Sequence, residues 1–214
     1  LRCLDVSKAR GLAGVACVLT YPDLPRGAIS TDFPGVSGPE NLHSERQLLV
    51  DEIARYRGEP LALVAAESEV IAKKAIDLIE VELEPLPGVY DPFVAMKPGA
   101  PIIFGSDNIV AHYKVRKGDI DAGFAAADTI IENTFRTQFL EHAFLEPEAG
   151  LAWIDRQGII NIRTSTQAIE HFRDVAEVIG VPHNKVRIRG AIVGGAFGGK
   201  NEITVEAFLG LLTV

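Results

Sequence analysis

The stretch Gly194-Gly195-Ala196-Phe197-Gly198-Gly199-Lys200 constrains this chain more than any other. Its four glycines within six positions open backbone angles closed to other residues and let amide N–H groups come close to a ligand. Val186-Arg187-Ile188-Arg189 before it alternates as a strand does, and a helix is expected from about Glu202. A strand–loop–helix unit of this kind aims N–H groups, and the positive end of the helix, at an anion. Lys200 adds a charge, so the chemistry points to a phosphorylated cofactor. Two other readings of the same residues stay open. Gly194, Gly199 and Lys200 satisfy the GxxxxGK part of a nucleotide-binding P-loop, although Asn201 stands where magnesium binding wants Ser or Thr. The run can also be a tight glycine turn set against a neighbouring helix.

The chain has 214 residues, of which 47% are hydrophobic, enough to build a buried core in one large domain or two small ones. A net charge of −8 argues against a general binder of nucleic acid or anionic membrane, because phosphate binding needs a basic surface. No window of eighteen apolar residues occurs, so no membrane-crossing helix is expected. Leu1 to Arg10 lacks the pattern of a signal peptide. Cys3 and Cys17 form no CxxC pair, which argues against a disulfide framework, a zinc site or an iron–sulfur cluster in this chain. No metal ligand is therefore expected here, and the expected setting is a reducing cytoplasm. Both ends read as cut: the chain starts without Met and stops in the apolar run Phe208 to Val214. The expectation is a core that continues into further residues.

Gly14 to Thr20 and Pro60 to Ala66 read as buried strands, separated by a Pro- and Gly-rich loop over 25–39. Residues 48–56 are ambiguous between helix and strand. Ser68 is placed to cap a helix running to about Leu78, and Ile79 to Glu84 alternates as a strand. Glu80, Glu82 and Glu84 share one face of that strand and read as solvated rather than catalytic. Beyond a Pro- and Gly-punctuated connection, a short helix is expected over 121–128 and an antiparallel strand over 129–139. Gly150 to Ile154 and Ile159 to Arg163 flank Asp155-Arg156-Gln157-Gly158, a hairpin with glycine in its turn. A helix over about 167–179 follows, with Thr164, Ser165 and Thr166 as candidate caps and Gly180-Val181-Pro182 as its stop.

Several segments in order carry a resemblance. Gly-Gly-x-Phe-Gly-Gly-Lys is similar to a motif of molybdenum hydroxylase large subunits. Thr164-Ser165-Thr166-Gln167 resembles their Ser-Thr-Gln segment, and Gln138 to Pro147 their Glu-His-x-x-Leu-Glu segment. Gly118 to Asp128 resembles the entry into their molybdenum domain. Gly58 to Ala66 and Val81 to Pro87 are similar to their hammerhead domain. The resemblance is to the xanthine dehydrogenase/aldehyde oxidoreductase family and covers nearly the whole chain.

The resemblance implies an α+β fold: an α/β-hammerhead domain over 1–96, a linker over 97–118, and the first, incomplete part of a mixed α/β molybdopterin-binding domain over 119–214. It implies hydroxylation of a purine-like N-heterocycle or an aldehyde with oxygen from water. The implied cofactor is molybdopterin, plain or as the cytosine dinucleotide. Electrons are expected to leave through iron–sulfur clusters and FAD held by partner subunits or domains. Gln167 matches the glutamine whose side chain contacts an oxygen ligand of molybdenum, and an amide donates there at any physiological pH. Gly195, Ala196, Phe197 and Gly198 form the expected cofactor-facing stretch. Within it Phe197 and Gly198 lie against the site, while Gly195, like Gly194 and Gly199, chiefly sets the loop's shape. Ala196 replaces a glycine common in the motif, and Asn201 stands where purine-oxidising members carry glutamate, which speaks against a purine substrate. His142 reads as a structural histidine, and the other carboxylates, Glu148 among them, receive no role. The family's catalytic glutamate lies beyond residue 214, so the segment alone is expected to be inactive. The alternatives are a P-loop-like nucleotide-binding protein and a non-catalytic module for subunit assembly.

Overall fold

The computed structural model describes residues 1–25, 29–31, 44–46, 48–105, 107–109 and 112–214. In the first half, β1 (Cys3–Asp5), helix α1 (Ser7–Arg10) and β2 (Val15–Thr20) come first. Strands β3 (Ile29–Thr31) and β4 (Ser44–Arg46) follow, then β5 (Ala62–Ala66), helix α2 (Glu69–Asp77) and β6 (Glu80–Glu82). All three pairings are antiparallel: β1 with β6, β2 with β5, and β3 with β4. Gly14–Thr20 and Pro60–Ala66 thus pair with each other, but as half-buried strands rather than buried ones. The β3–β4 ladder corrects the reading of 25–39 as loop throughout. Residues 26–28 and 32–39 of that reading lie outside the described residues.

Helix α2 forms where expected. The Ser68 hydroxyl accepts from the Ile71 N–H at 3.3 Å, meeting one of the donors that the first turn leaves unpaired. Ala75 turns inward to a small core with Val6, Ala9 and Val18. Glu80, Glu82 and Glu84 are exposed, and Lys8 and Arg2 pair with Glu80 and Glu84. They form a solvated face, as expected, and two of the three carry charge partners.

Helix α3 (Pro92–Ala95) precedes the connecting segment. Its described residues form no further helix or strand until α4 (Ile120–Ala125), capped by Asp119. Asn108 organises this stretch. Its Oδ1 accepts from the N–H groups of Ile103 and Phe104, and its Nδ2 donates to the carbonyls of Ala95 and Pro101.

The second half is built on a three-stranded sheet. Strand β7 (Gly150–Ile154) runs antiparallel to β8 (Ile160–Thr164), which runs parallel to β9 (Val186–Gly190). The turn between β7 and β8 is the expected one. Asp155 accepts from the N–H groups of Gln157 and Ile159, and Gly158 takes the left-handed φ of 71° that closes it. Parallel strands need a crossover, and α5 (Phe172–Ile179) supplies it. It ends at Gly180, with φ 71° and the Val181 N–H bonded back to the Ala176 carbonyl at 2.9 Å. Helix α6 (Glu206–Leu211) lies beside α5. The inner sheet residues Ile160, Ile162, Val186 and Ile188 bury against Val175, Ala176 and Ile179 of α5 and Ala207 and Leu211 of α6. Leu48 of the first half is buried in the same cluster, with Leu19 and Leu24 against it.

Three expectations need correction. The segment 129–139 forms no strand: it is exposed along its length, and among the described residues it has no ladder partner. Alternation supplies two faces, but a strand also needs a neighbour to take its N–H and C=O groups. The crossover helix begins at Phe172, not near Gln167, after a 3-10 turn over Ile169–His171. Thr166 is spent elsewhere, its hydroxyl accepting from the Ala168 N–H at 3.2 Å. Helix α6 starts at Glu206, four residues later than expected, where the Glu206 side chain reaches back to the Thr204 N–H at 2.9 Å.

Candidate functional site

Gln167 follows β8, and the glycine loop follows β9. Because β8 and β9 are neighbouring parallel strands, both chain segments leave the sheet at the same end. They meet directly. The Gln167 N–H donates to the Lys200 carbonyl at 2.9 Å, and the Lys200 N–H donates to Gln167 Oε1 at 3.3 Å. Gln167 is exposed although Thr166 and Ala168 on either side are buried, so its carboxamide is held at the backbone end and open beyond it.

The loop is shaped by the segment 142–146 that runs beneath it. The Glu146 N–H bonds the Gly194 carbonyl at 3.4 Å, and the Gly194 N–H returns to Glu146 Oε2 at 2.7 Å. A methyl group on Gly199 would come within 2.8 Å of the Phe144 ring and 3.0 Å of the His142 ring. A side chain there would require the Phe144 and His142 rings to shift, a steric reason for the glycine that the sequence alone does not show. Gly195 and Gly198 take φ of 101° and 93°, which glycine adopts at no steric cost. Phe197 between them takes φ 53° and is 77% exposed. For a phenylalanine that backbone is strained by about 1–3 kcal/mol, and most of the ring stays exposed. Ala196 is buried and is not among the positive-φ residues, so its methyl group is accommodated without such strain.

Among the described residues, the backbone N–H groups of Gly195, Ala196, Phe197 and Gly198 form no hydrogen bond within the chain. The N–H groups on either side are all spent: Gly194 on Glu146, Gly199 on the Ala196 carbonyl, Lys200 on Gln167 and Asn201 on the Gly198 carbonyl. Four consecutive free donors in a glycine loop fit an anionic, oxygen-rich group.

Lys200 is not a free charge in this site. It is 1% exposed, and its Nζ donates to the Glu146 carbonyl at 3.0 Å, to Glu146 Oε2 at 2.8 Å and to Ser165 Oγ at 2.9 Å. The Phe144 ring lies 4.6 Å away. Three acceptors match the three protons of an ammonium, which makes its burial tolerable. The hydrogen bond from Lys200, and then that from the Gly194 N–H, hold the Glu146 carboxyl below the usual glutamate range. This geometry removes the P-loop reading: the lysine is turned away from any phosphate in the loop, and no helix starts directly after it. Glu146 is the residue that sequence reasoning missed. Its signal was its place as the closing Glu of the Glu-His-x-x-Leu-Glu segment, but the lysine it serves lies 54 residues away. His142 is exposed and lies beside Gly198 and Gly199, a wall of the loop rather than a buried base. Cys3 and Cys17 are both free thiols.

Fold and site together define a class: an α+β chain whose second half sets a glycine loop, with four N–H groups unspent among the described residues, at the C-terminal end of a three-stranded sheet. The profile of the aldehyde oxidase and xanthine dehydrogenase a/b hammerhead domain matches residues 1–87. That of the molybdopterin cofactor-binding domain matches residues 104–214. The chain belongs to the xanthine dehydrogenase/aldehyde oxidoreductase family of molybdopterin-binding subunits. It is 36% identical to the nicotinate dehydrogenase large molybdopterin subunit of Eubacterium barkeri, over 98% of this chain and 48% of that one. It is 30% identical to the xanthine dehydrogenase molybdenum-binding subunit of Escherichia coli, over 98% of this chain and 28% of that one. The solved aldehyde oxidoreductase of Desulfovibrio gigas matches 99% of this chain and 24% of its own, with a TM-score of 0.85 and 26% identity. The chain thus spans about half of the first of these relatives and about a quarter of the other two.

Proposed function

We propose that this chain supplies the hammerhead domain and the opening part of the molybdopterin-binding domain of a molybdenum hydroxylase that oxidises an N-heterocycle or an aldehyde. We place its boundaries at 1–96, 97–118 and 119–214. The observation that carries the reading is the run of four unspent N–H groups, Gly195 to Gly198, held open beside the carboxamide of Gln167. When bound, molybdopterin supplies a metal centre able to oxidise carbon with oxygen from water.

The chain's own residues do the holding. The N–H groups of Gly195, Ala196, Phe197 and Gly198 take the cofactor's anionic oxygens. With Gln167 Oε1 engaged by the Lys200 N–H, the Nε2 protons are the end left to donate toward the metal centre. Such a donor, fixed before the reaction, stabilises developing negative charge without reorganising. The exposed ring of Phe197 walls off water. Asn201, exposed beside the loop, puts a neutral amide where a purine site would carry an acid, and this favours a heterocycle other than a purine. The nicotinate dehydrogenase relative fits that preference. Iron–sulfur and FAD-binding partner subunits carry the electrons away, in the cytoplasm. The pterin is the plain or the cytosine dinucleotide form. The segment by itself is inactive.

The test is to purify the full-length protein with its partner subunits and measure molybdenum and pterin together with dye reduction by nicotinate, xanthine and a simple aldehyde. Molybdenum near one per chain with substrate-dependent reduction is expected. Absence of both metal and pterin from folded, fully assembled protein would falsify the reading.

A further inference from the structure

We propose that Glu146 and Lys200 are positioning residues for Gln167, and that they decide which end of its carboxamide faces outward. The proposal rests on the cofactor reading above and goes beyond it, since it concerns side chains whose partners lie within the chain.

A carboxamide has an accepting end and a donating end of nearly equal size. Nothing in the Gln167 side chain itself selects between them. Here the Lys200 backbone N–H donates to Oε1, while the Gln167 N–H donates back to the Lys200 carbonyl. The Thr166 hydroxyl meets that same carbonyl at 3.4 Å. The orientation of the amide therefore depends on where the Lys200 backbone stands. That backbone is placed by its own side chain, whose buried ammonium ties 144–146 to Ser165, two residues before Gln167. Glu146 closes the ring of contacts, since the oxygen that takes Lys200 Nζ also takes the Gly194 N–H at the other end of the loop.

One carboxylate oxygen thus fixes both ends of the glycine loop, and through Lys200 it fixes the donor direction of Gln167. A buried, fully satisfied ammonium has no looser arrangement of similar energy, because any shift leaves a proton without an acceptor. Merely filling space would not require charge on either partner.

The test uses the full-length, assembled, cofactor-loaded enzyme carrying Glu146→Gln. Turnover is expressed per bound molybdenum, alongside KM and the hydrogen exchange of peptides covering 164–168 and 194–201. We expect kcat per molybdenum to fall roughly tenfold to a hundredfold, the range set by misplacing one preorganised donor. KM is expected to stay within about twofold, since uniform binding is untouched, and exchange at Lys200 and Gly194 to rise. Unchanged kcat per molybdenum overturns the proposal. So does a variant that only loses molybdenum while its loaded fraction turns over normally, because that describes a structural role alone. If Glu146→Gln does not accumulate as folded protein, Lys200→Arg carries the test. Its planar fork keeps the charge but not the three proton directions, so the same split is expected and wild-type kcat per molybdenum overturns the idea. A wild-type enzyme that holds no molybdenum defeats the cofactor reading itself, an outcome distinct from these.

Discussion

Gln167 and Lys200, 33 residues apart, hold each other through two hydrogen bonds of opposite sense, one from each backbone N–H. The strand end and the glycine loop are thereby one unit, with the Gln167 carboxamide held at its oxygen. Gln167→Ala in the full-length enzyme is expected to keep its molybdenum and pterin while kcat falls by up to about 3–4 kcal/mol of barrier, the worth of one preorganised donor. Metal analysis and steady-state kinetics on the same preparation check this, and full turnover removes Gln167 from the reaction.

Phe197 separates stability from function. Its φ of 53° is natural for glycine and strained for phenylalanine. Phe197→Gly is expected to leave stability unchanged or raise it by about 0.5–1 kcal/mol, yet to lower turnover if the ring walls the proposed site. Thermal unfolding and kcat measured together give the answer. A clear loss of stability shows that the ring is an anchor.

The Glu146 carboxyl lies below its ordinary value, chiefly through Lys200. A group depressed in the folded state stabilises above its unfolded pKa, and that contribution disappears as pH falls through the folded value. The loop is therefore expected to stay anchored through the usual glutamate range of about 4 and to loosen only below it. Hydrogen exchange of 194–200 against pH follows the loosening, and in Glu146→Gln the same profile should be flat. A wild-type loop that loosens at or above the ordinary glutamate value contradicts this.

Ile162 is fully buried between the sheet and the two helices. Ile162→Ala is expected to cost about 2–5 kcal/mol, the transfer term plus the cavity left behind. Denaturant unfolding of the full-length protein measures it, and a cost under about 1 kcal/mol shows that the site collapses around the gap.

Local chemistry was legible in the sequence wherever it was self-contained. The Ser68 cap, the Asp155–Gly158 turn and the Gly180 stop each depend on residues a few positions apart, and each forms. Features that depend on distant partners were not legible. The alternation over 129–139 looks the same whether or not a neighbouring strand is present to bond it. Glu146 seemed an idle carboxylate until the fold brought it to Lys200. The glycine loop is recognisable from its own residues, but the crowding that favours glycine at 199 comes from Phe144 and His142.

The unladdered stretch from Ile130 to Leu145 has a practical outcome. Ile131, Phe135, Phe139, Leu140 and Leu145 are each at least 80% exposed, on backbone with open hydrogen-bonding edges. Surfaces of that kind recruit whatever strand arrives first. The chain is expected to self-associate through this segment in a concentration-dependent way, which sedimentation at rising concentration measures.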